Sequence, residues 1–79
     1  MFLFKSKFEN AIEMYQLALE LCPDEASIYT SIGIVYHLDG DYFKAIDYYH
    51  KALSISSEDS ITTELISKAV NHSYLYSKK

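Results

Sequence analysis

From Phe8 to Leu21 the apolar positions are Phe8, Ala11, Ile12, Tyr15, Ala18 and Leu19, spaced three and four apart. That spacing sets them on one face of a helix, with Glu9, Glu13, Gln16 and Glu20 on the remainder. Moving 34 positions along, from Phe8 to Tyr42, gives Tyr42, Ala45, Ile46, Tyr49, Ala52 and Leu53, and Glu13 becomes Asp47. The chain therefore carries an internal repeat. Between the two copies, Ile28, Ile32 and Val35 form one stripe and Tyr29, Gly33 and Tyr36 a second beside it, which predicts a helix from about Glu25 to Leu38. A helix over about Tyr42 to Ile55 follows. A fourth begins near Ser60, with Ile61, Leu65, Ile66, Ala69 and Val70 as its apolar set. The fold class is all-α.

The boundaries between these helices are written in turn chemistry. Cys22-Pro23-Asp24 ends the first helix, because proline cannot continue it. Asp24 is the expected N-cap of the second, with Glu25 adding negative charge at its positive end. Asp39-Gly40-Asp41 is a turn in which Gly40 suits a left-handed C-cap and Asp41 an N-cap. Ser56-Ser57-Glu58-Asp59-Ser60 is a polar connector with Ser or Asp to cap helix four. Tyr74 stands where Gly40 supplied the earlier turn, so helix four is expected to run on through Leu75. Gly33 costs roughly 1 kcal/mol against alanine inside a helix. Close approach of a partner helix is the expected compensation, and Ala45 and Ala52 are small at the equivalent crossings.

Tyr29, Ile32, Gly33 and Tyr36 before the turn, then Ala45, Tyr49 and Ala52 after it, resemble the tetratricopeptide repeat, a helix-turn-helix unit that stacks on copies of itself. The resemblance covers nearly the whole chain. It implies an antiparallel helix-turn-helix array, an α-solenoid fragment of about four helices forming a single unit over residues 1–79. A register starting at Ala26 makes residues 26–59 one complete repeat. Residues 8–22 then read as the second helix of a preceding repeat, whose first helix is missing or reduced to Met1 to Lys7. Residues 60–76 read as the first helix of a following, divergent repeat, with Thr63 in place of the aromatic and Ser67 in place of the glycine. The family usually has proline where Ser57 stands, so this connector is expected to be less rigid than Cys22-Pro23. Such arrays need about three repeats and polar caps to stand alone. An uncovered apolar face is expected at each end, and with it self-association or helix exchange of the isolated fragment.

In this repeat family the first helices line a concave groove. Carried over, the groove positions are Ser27, Thr30, Ile34 and His37 in the complete repeat and Ile61, Glu64, Lys68 and Asn71 in the partial one. The first set is uncharged and partly apolar, the second mixed, which suits a protein or peptide partner held extended or as a helix. Three kinds of member are compatible with a repeat of this type. A co-chaperone clamp for a C-terminal carboxylate needs Asn and Lys where Ile34 and Thr30 stand, and a carboxylate buried without such donors is costly. The substrate-selecting repeats of a nucleocytoplasmic protein O-glycosyltransferase are similar over AIEMYQLALELCPD and AIDYYHKAL, but carry an asparagine where Ser31 stands. The C-terminal repeats of the subunit-six scaffolds of the anaphase-promoting complex, a cell-cycle ubiquitin ligase, are similar over Ala26-Ser27-Ile28-Tyr29-Thr30, Ile32-Gly33 and AIDYYHKALSISSEDS. They share the missing proline at Ser57 and the breaks at Thr63 and Ser67. That last resemblance implies a non-catalytic role in cell division. Its partners would be the other repeat subunits of the ligase and a small accessory subunit enclosed by the superhelix, in the nucleus and cytoplasm.

Composition narrows the chemistry rather than the fold. The net charge is −4, and all seven Lys+Arg residues are lysine, scattered along the chain apart from Lys78-Lys79. Nucleic-acid binders cluster Lys and Arg on one face, so no nucleic-acid partner is expected. One cysteine, Cys22, cannot close an internal disulfide, as in cytosolic or nuclear proteins, and is expected as a half-buried packing residue beside Pro23. Met1 to Lys5 is too short for a signal-peptide core, and no apolar run reaches the roughly 18 residues of a membrane span. His37, His50 and Cys22 fall on different elements, and there is no HExxH, CxxC or phosphate-binding glycine loop. No catalytic residue, cofactor or metal is therefore expected. Tyr49 is the packing aromatic, whereas Tyr48 and Phe43 are expected nearer the outer face, where they could touch another subunit.

Overall fold

The computed structural model describes residues 6–77. It consists of α1 (Lys7–Leu21), α2 (Ala26–Leu38), α3 (Tyr42–Ile55) and α4 (Ser60–Ser77), with no strand among the described residues. The reduced first helix expected over Met1 to Lys7 and the Lys78-Lys79 tail lie outside this range, except that Ser6 and Lys7 open α1. The packing is that of stacked helical hairpins. α2 packs most extensively on α3, α3 on α4, and α1 on α2, while α2 meets α4 along a short seam.

Each helix starts and stops for a local reason. Ser6 and Glu9 form a capping box on α1: the Glu9 amide donates to Ser6 Oγ and the Ser6 amide to Glu9 Oε1, both at 3.0 Å. α2 ends in a Schellman turn. The Asp41 amide donates to the Tyr36 carbonyl at 2.9 Å and the Gly40 amide to the His37 carbonyl at 3.1 Å, with Gly40 at φ +90°. Asp41 then caps α3 through the Lys44 amide.

The two connectors repeat one another at an interval of 34. Cys22 N donates to Ala18 O and Ser56 N to Ala52 O, both at 2.9 Å; Glu25 N donates to Cys22 O and Asp59 N to Ser56 O, both at 3.3 Å. The turn around Ser57 therefore closes as the one around Pro23 does. The expected cap at Asp24 is not made: α2 begins one residue later, its N-cap is Glu25, and no side chain bonds there. The Glu25 carboxylate instead accepts from Ser27 Oγ at 3.1 Å. Cys22 is exposed rather than half-buried, because its position is the C-cap of α1, outside the helix interface.

The core lies where α2, α3 and α4 converge. Ile32, Ala45, Tyr49, Ala52, Ala69 and Thr62 are fully buried, and Val35 is buried at its edge. A Cβ added at Gly33 would run into the Tyr49 ring, 2.6 Å from its Cδ1, and would lie 3.1 Å from the Ala45 carbonyl oxygen. Gly33 is therefore a point of close approach between α2 and α3. Tyr48, expected nearer the outer face, is half-buried. Its ring stacks at 5.6 Å on Tyr36 and 6.3 Å on Tyr29, with Lys51 Nζ 4.9 Å from its centroid. The stripe of α2 that carries Tyr29 and Tyr36 reaches past Tyr49 to its neighbour. Phe43 is exposed, as expected.

Candidate functional site

The eight groove positions divide by what their neighbours do. On α2, Thr30 and His37 are half-buried and bonded across the seam to α4, whereas Ser27 and Ile34 face outward. On α4, Ile61, Glu64, Lys68 and Asn71 are all exposed. The structure thus joins Thr30 and His37 into the α2–α4 seam and leaves the other six on its surface. Ile34 (37% exposed) and Ile61 (67% exposed) supply the apolar part of that surface. Glu64 also lines an open hollow beside the α3–α4 connector, with Ser57, Glu58, Ser60 and Thr63.

The upper end of the seam is a hydroxyl and carboxylate network. Asp59 caps α4, accepting from the Thr62 amide at 3.1 Å and from Thr62 Oγ1 at 2.6 Å. Thr62 Oγ1 also lies 2.9 Å from Thr30 Oγ1, which itself reaches the Ala26 carbonyl at 3.4 Å. Thr62 already donates to Asp59, so Thr30 donates its one hydroxyl hydrogen to Thr62, and the Ala26 carbonyl is the longer, alternative acceptor of that hydrogen. The fully buried Thr62 hydroxyl both donates and accepts. The Thr62 bonds hold the Asp59 carboxyl below its ordinary range. Thr62 occupies the position equivalent to Ile28. Its burial, with Ala69 fully buried and Leu65 and Ile66 partly so, corrects the apolar set read for helix four, of which Ile61 and Val70 are exposed.

The lower end is an imidazole pair. His37 Nε2 lies 2.9 Å from His72 Nδ1, and His37 Nδ1 lies 3.3 Å from the Tyr49 hydroxyl. The Tyr42 ring stands edge-on to His37 with centroids 5.4 Å apart. Burial pushes the His37 pKa down, and the nearby His72 and Lys68 push it further the same way. Burial also raises the Tyr49 hydroxyl to about 12, so it remains a neutral donor and acceptor. His37 is thus not a solvated groove side chain but a half-buried link between α2, α3 and α4. The sequence held a signal for this pair: His37 and His72 are 35 residues apart, one more than the repeat interval, which places them on neighbouring first helices.

Among the described residues no group of three or more His, Cys, Asp or Glu side chains could hold a metal ion, and no helix is long and apolar enough to cross a membrane. The exposed side chains of this face are mixed, with apolar Ile34 and Ile61 beside polar Ser27, Glu64, Lys68 and Asn71.

Comparison with known proteins agrees with this architecture. A family model described as TPR repeat matches residues 2–40, and one described as tetratricopeptide repeat matches residues 26–59. The chain is 44% identical over 69 residues to anaphase-promoting complex subunit 6 of Dictyostelium discoideum, covering 87% of this chain and 8% of that protein. It is 31% identical over 64 residues to the human cell division cycle protein 16 homolog, covering 81% of this chain and 10% of that one. It is also 32% identical over 60 residues to the human protein O-mannosyl-transferase TMTC1, covering 76% of this chain and 7% of the transferase. The chain thus spans a tenth or less of the length of each of these relatives.

Proposed function

The chain belongs to the tetratricopeptide repeat family, and on that premise we propose that it is a non-catalytic protein-interaction segment of an anaphase-promoting-complex scaffold. The observation that carries this reading is the 44% identity to subunit 6 across 87% of the chain. In this reading residues 26–59 form one complete repeat, with residues 8–22 and 60–76 belonging to its neighbours. The groove face takes a polypeptide through Ile34 and Ile61, with Ser27, Glu64, Lys68 and Asn71 as polar contacts and Thr30 and His37 as its floor. Its partners are other repeat subunits of the ligase and a small accessory subunit, and its place is cell-cycle control in nucleus and cytoplasm. Apolar side chains exposed on α1, including Met14, Leu17 and Leu21, support self-association of the chain when no neighbour covers them.

The test is affinity purification of the protein from its own cells, followed by identification of what accompanies it. Recovery of anaphase-promoting-complex subunits in fixed proportion supports the reading. Recovery of a chaperone, or of glycosyl- or mannosyl-transferase activity, overturns it. The paired substitution Ile34→Asp and Ile61→Asp tests the groove. Both side chains are exposed, so helicity should persist while the groove-bound partner is lost. A partner retained at wild-type level would remove the groove assignment.

A further inference from the structure

We propose that the His37–His72 pair is a pH-sensitive clasp on α4: neutral, it holds the helix from about Lys68 to Tyr74 against α2, and in mild acid it lets that part swing away. The geometry is a relay in which every inward nitrogen is already committed. Tyr49 is fully buried, so its hydroxyl hydrogen goes to the acceptor beside it, His37 Nδ1 at 3.3 Å. His37 therefore carries its hydrogen on Nε2 and donates it to His72 Nδ1 at 2.9 Å. Tyr42 stands edge-on to the His37 ring from α3, and Lys68 adds a positive charge from α4. Of residues 68–74 only Ala69 is fully buried, while Leu65 and Ile66, which pack on the core, lie nearer the capped end of the helix. Little apolar area therefore opposes the swing.

The relay has no place for another proton. A proton on His72 Nδ1 would face the His37 Nε2–H across 2.9 Å, unless His37 moved its own hydrogen to Nδ1 and turned a donor on the Tyr49 hydroxyl. A second proton would set two imidazolium rings side by side, next to the Lys68 ammonium. Swung into water, the rings take up protons without these conflicts, so acid favours the open form. Burial, then the charges of His72 and Lys68, already oppose a charged His37 in the closed form. With His37 protonated only when open, its ordinary value of 6.5 makes opening roughly thirtyfold more favourable at pH 5 than at pH 8. The other end of the α2–α4 seam does not respond. Thr30 and Thr62 do not titrate, and the Thr62 bonds hold the Asp59 carboxyl below its ordinary range. α4 thus pivots on its N-terminal cap. The swing carries Lys68 and Asn71 away from Ile34, so a groove-bound polypeptide is released in mild acid, a consequence that rests on the groove reading of this face.

Amide hydrogen exchange of the chain, followed by nuclear magnetic resonance and expressed as protection relative to the unfolded rate at each pH, reads the opening without any partner. Protection of residues 71–74 should fall by about tenfold or more between pH 7.5 and pH 5, while that of residues 64–66, α2 and α3 changes by less than about threefold. His37→Gln combined with His72→Gln, in a chain shown by circular dichroism to remain helical, should abolish the fall. The wild-type profile decides the matter on its own should that variant unfold. His50→Gln, exposed on α3, should leave the fall unchanged, and Lys68→Gln, which takes a like charge from the pair, should reduce it. Ring nitrogen shifts at pH 7.5 should show the His37 hydrogen on Nε2. Protection that does not change, that falls equally throughout the chain, or that falls as far in the double glutamine variant would overturn the clasp, as would a His37 hydrogen on Nδ1. A polypeptide that stays bound at pH 5 while residues 71–74 open would refute the groove consequence and leave the clasp standing.

Discussion

Replacing Gly33 by alanine sets two well-defined effects against each other. In an isolated helix the change is favourable by roughly 1 kcal/mol, because glycine has the larger conformational freedom to lose. In this fold the new methyl would press on the ring of Tyr49, 2.6 Å from Cδ1, and crowd the Ala45 carbonyl oxygen at 3.1 Å. Ordinary carbon contacts begin near 3.5 Å, so the helices or the ring must move by about 1 Å. The ring has little room. Tyr49 is fully buried and its hydroxyl lies against His37 Nδ1 at 3.3 Å, so a swing opens that bond as well. Over-packing a well-filled core costs about 1–3 kcal/mol, and a held ring belongs at the top of that range. The net loss is then about 2 kcal/mol, which lowers the unfolding midpoint of a domain this small by roughly 10 °C. Thermal and urea unfolding followed by circular dichroism would measure it. A double cycle with Tyr49→Leu gives the sharper reading, since the Gly33→Ala penalty should shrink once the ring is gone. A Gly33→Ala chain as stable as wild type, or more so, would refute the close crossing of α2 and α3 on which the packing account rests.

Other expectations test the seam between α2 and α4. Thr62→Val keeps shape but deletes the hydroxyl shared by Asp59 and Thr30, and urea unfolding should show a loss of about 1–3 kcal/mol; an unchanged midpoint would mean the network is dispensable. His37 has its folded pKa below the value of 6.5 it takes when unfolded, so the unfolded chain takes up the proton first as the solution acidifies. Stability from this group is present above pH 6.5 and lost as pH falls through the folded pKa. The groups facing the ring from α3 and α4 are Tyr49, Tyr42, His72 and Lys68. Unfolding midpoints measured from pH 8 to pH 5 should fall in the wild type and fall less in His37→Gln.

Much of this was legible because the chain states the same thing twice. The matched apolar sets at Phe8 to Leu19 and Tyr42 to Leu53 fix two helices and their shared face, and Gly33, Gly40 and Asp41 mark a crossing, a turn and a cap that the coordinates bear out. What escaped was polar or one position off the repeat. Thr62 reads as a surface residue, and only its simultaneous bonds to Asp59 and Thr30 allow it to be fully buried. Tyr48 sits beside the expected packing aromatic, and its inward turn depends on Tyr29 and Tyr36 being aligned to receive it. Asp24 was a reasonable cap by residue type, but the turn at Cys22 and Glu25 closes one position later. The His37–His72 pair joins helices far apart in sequence and is signalled only by its 35-residue separation, one more than the repeat interval. Of the groove positions, Thr30 and His37 are fastened into the seam, a distinction that residue type alone does not draw.

The internal repeat also separates what a residue is from what covers it. Ala11, Tyr15 and Ala18 of α1 correspond to Ala45, Tyr49 and Ala52 of α3, with the same residue at each of the three positions. Yet the α3 set is fully buried and the α1 set only half-buried. The difference is in the neighbours: among the described residues α3 lies between α2 and α4, whereas α1 packs on α2 alone. Burial in such an array is therefore a nearest-neighbour property. A chain in which residues 26–41 are placed directly ahead of Phe8, continuing the 34-residue interval, should present a second glycine-bearing helix to Tyr15. Tyr15 should then become as buried as Tyr49, and the unfolding midpoint should rise. Gly→Ala in that added helix should remove most of the gain, by the same collision that isolates Gly33. If the midpoint does not move, or rises equally with alanine, then α1 does not use its repeat-equivalent face, and its half-burial has another cause than the helices it packs on.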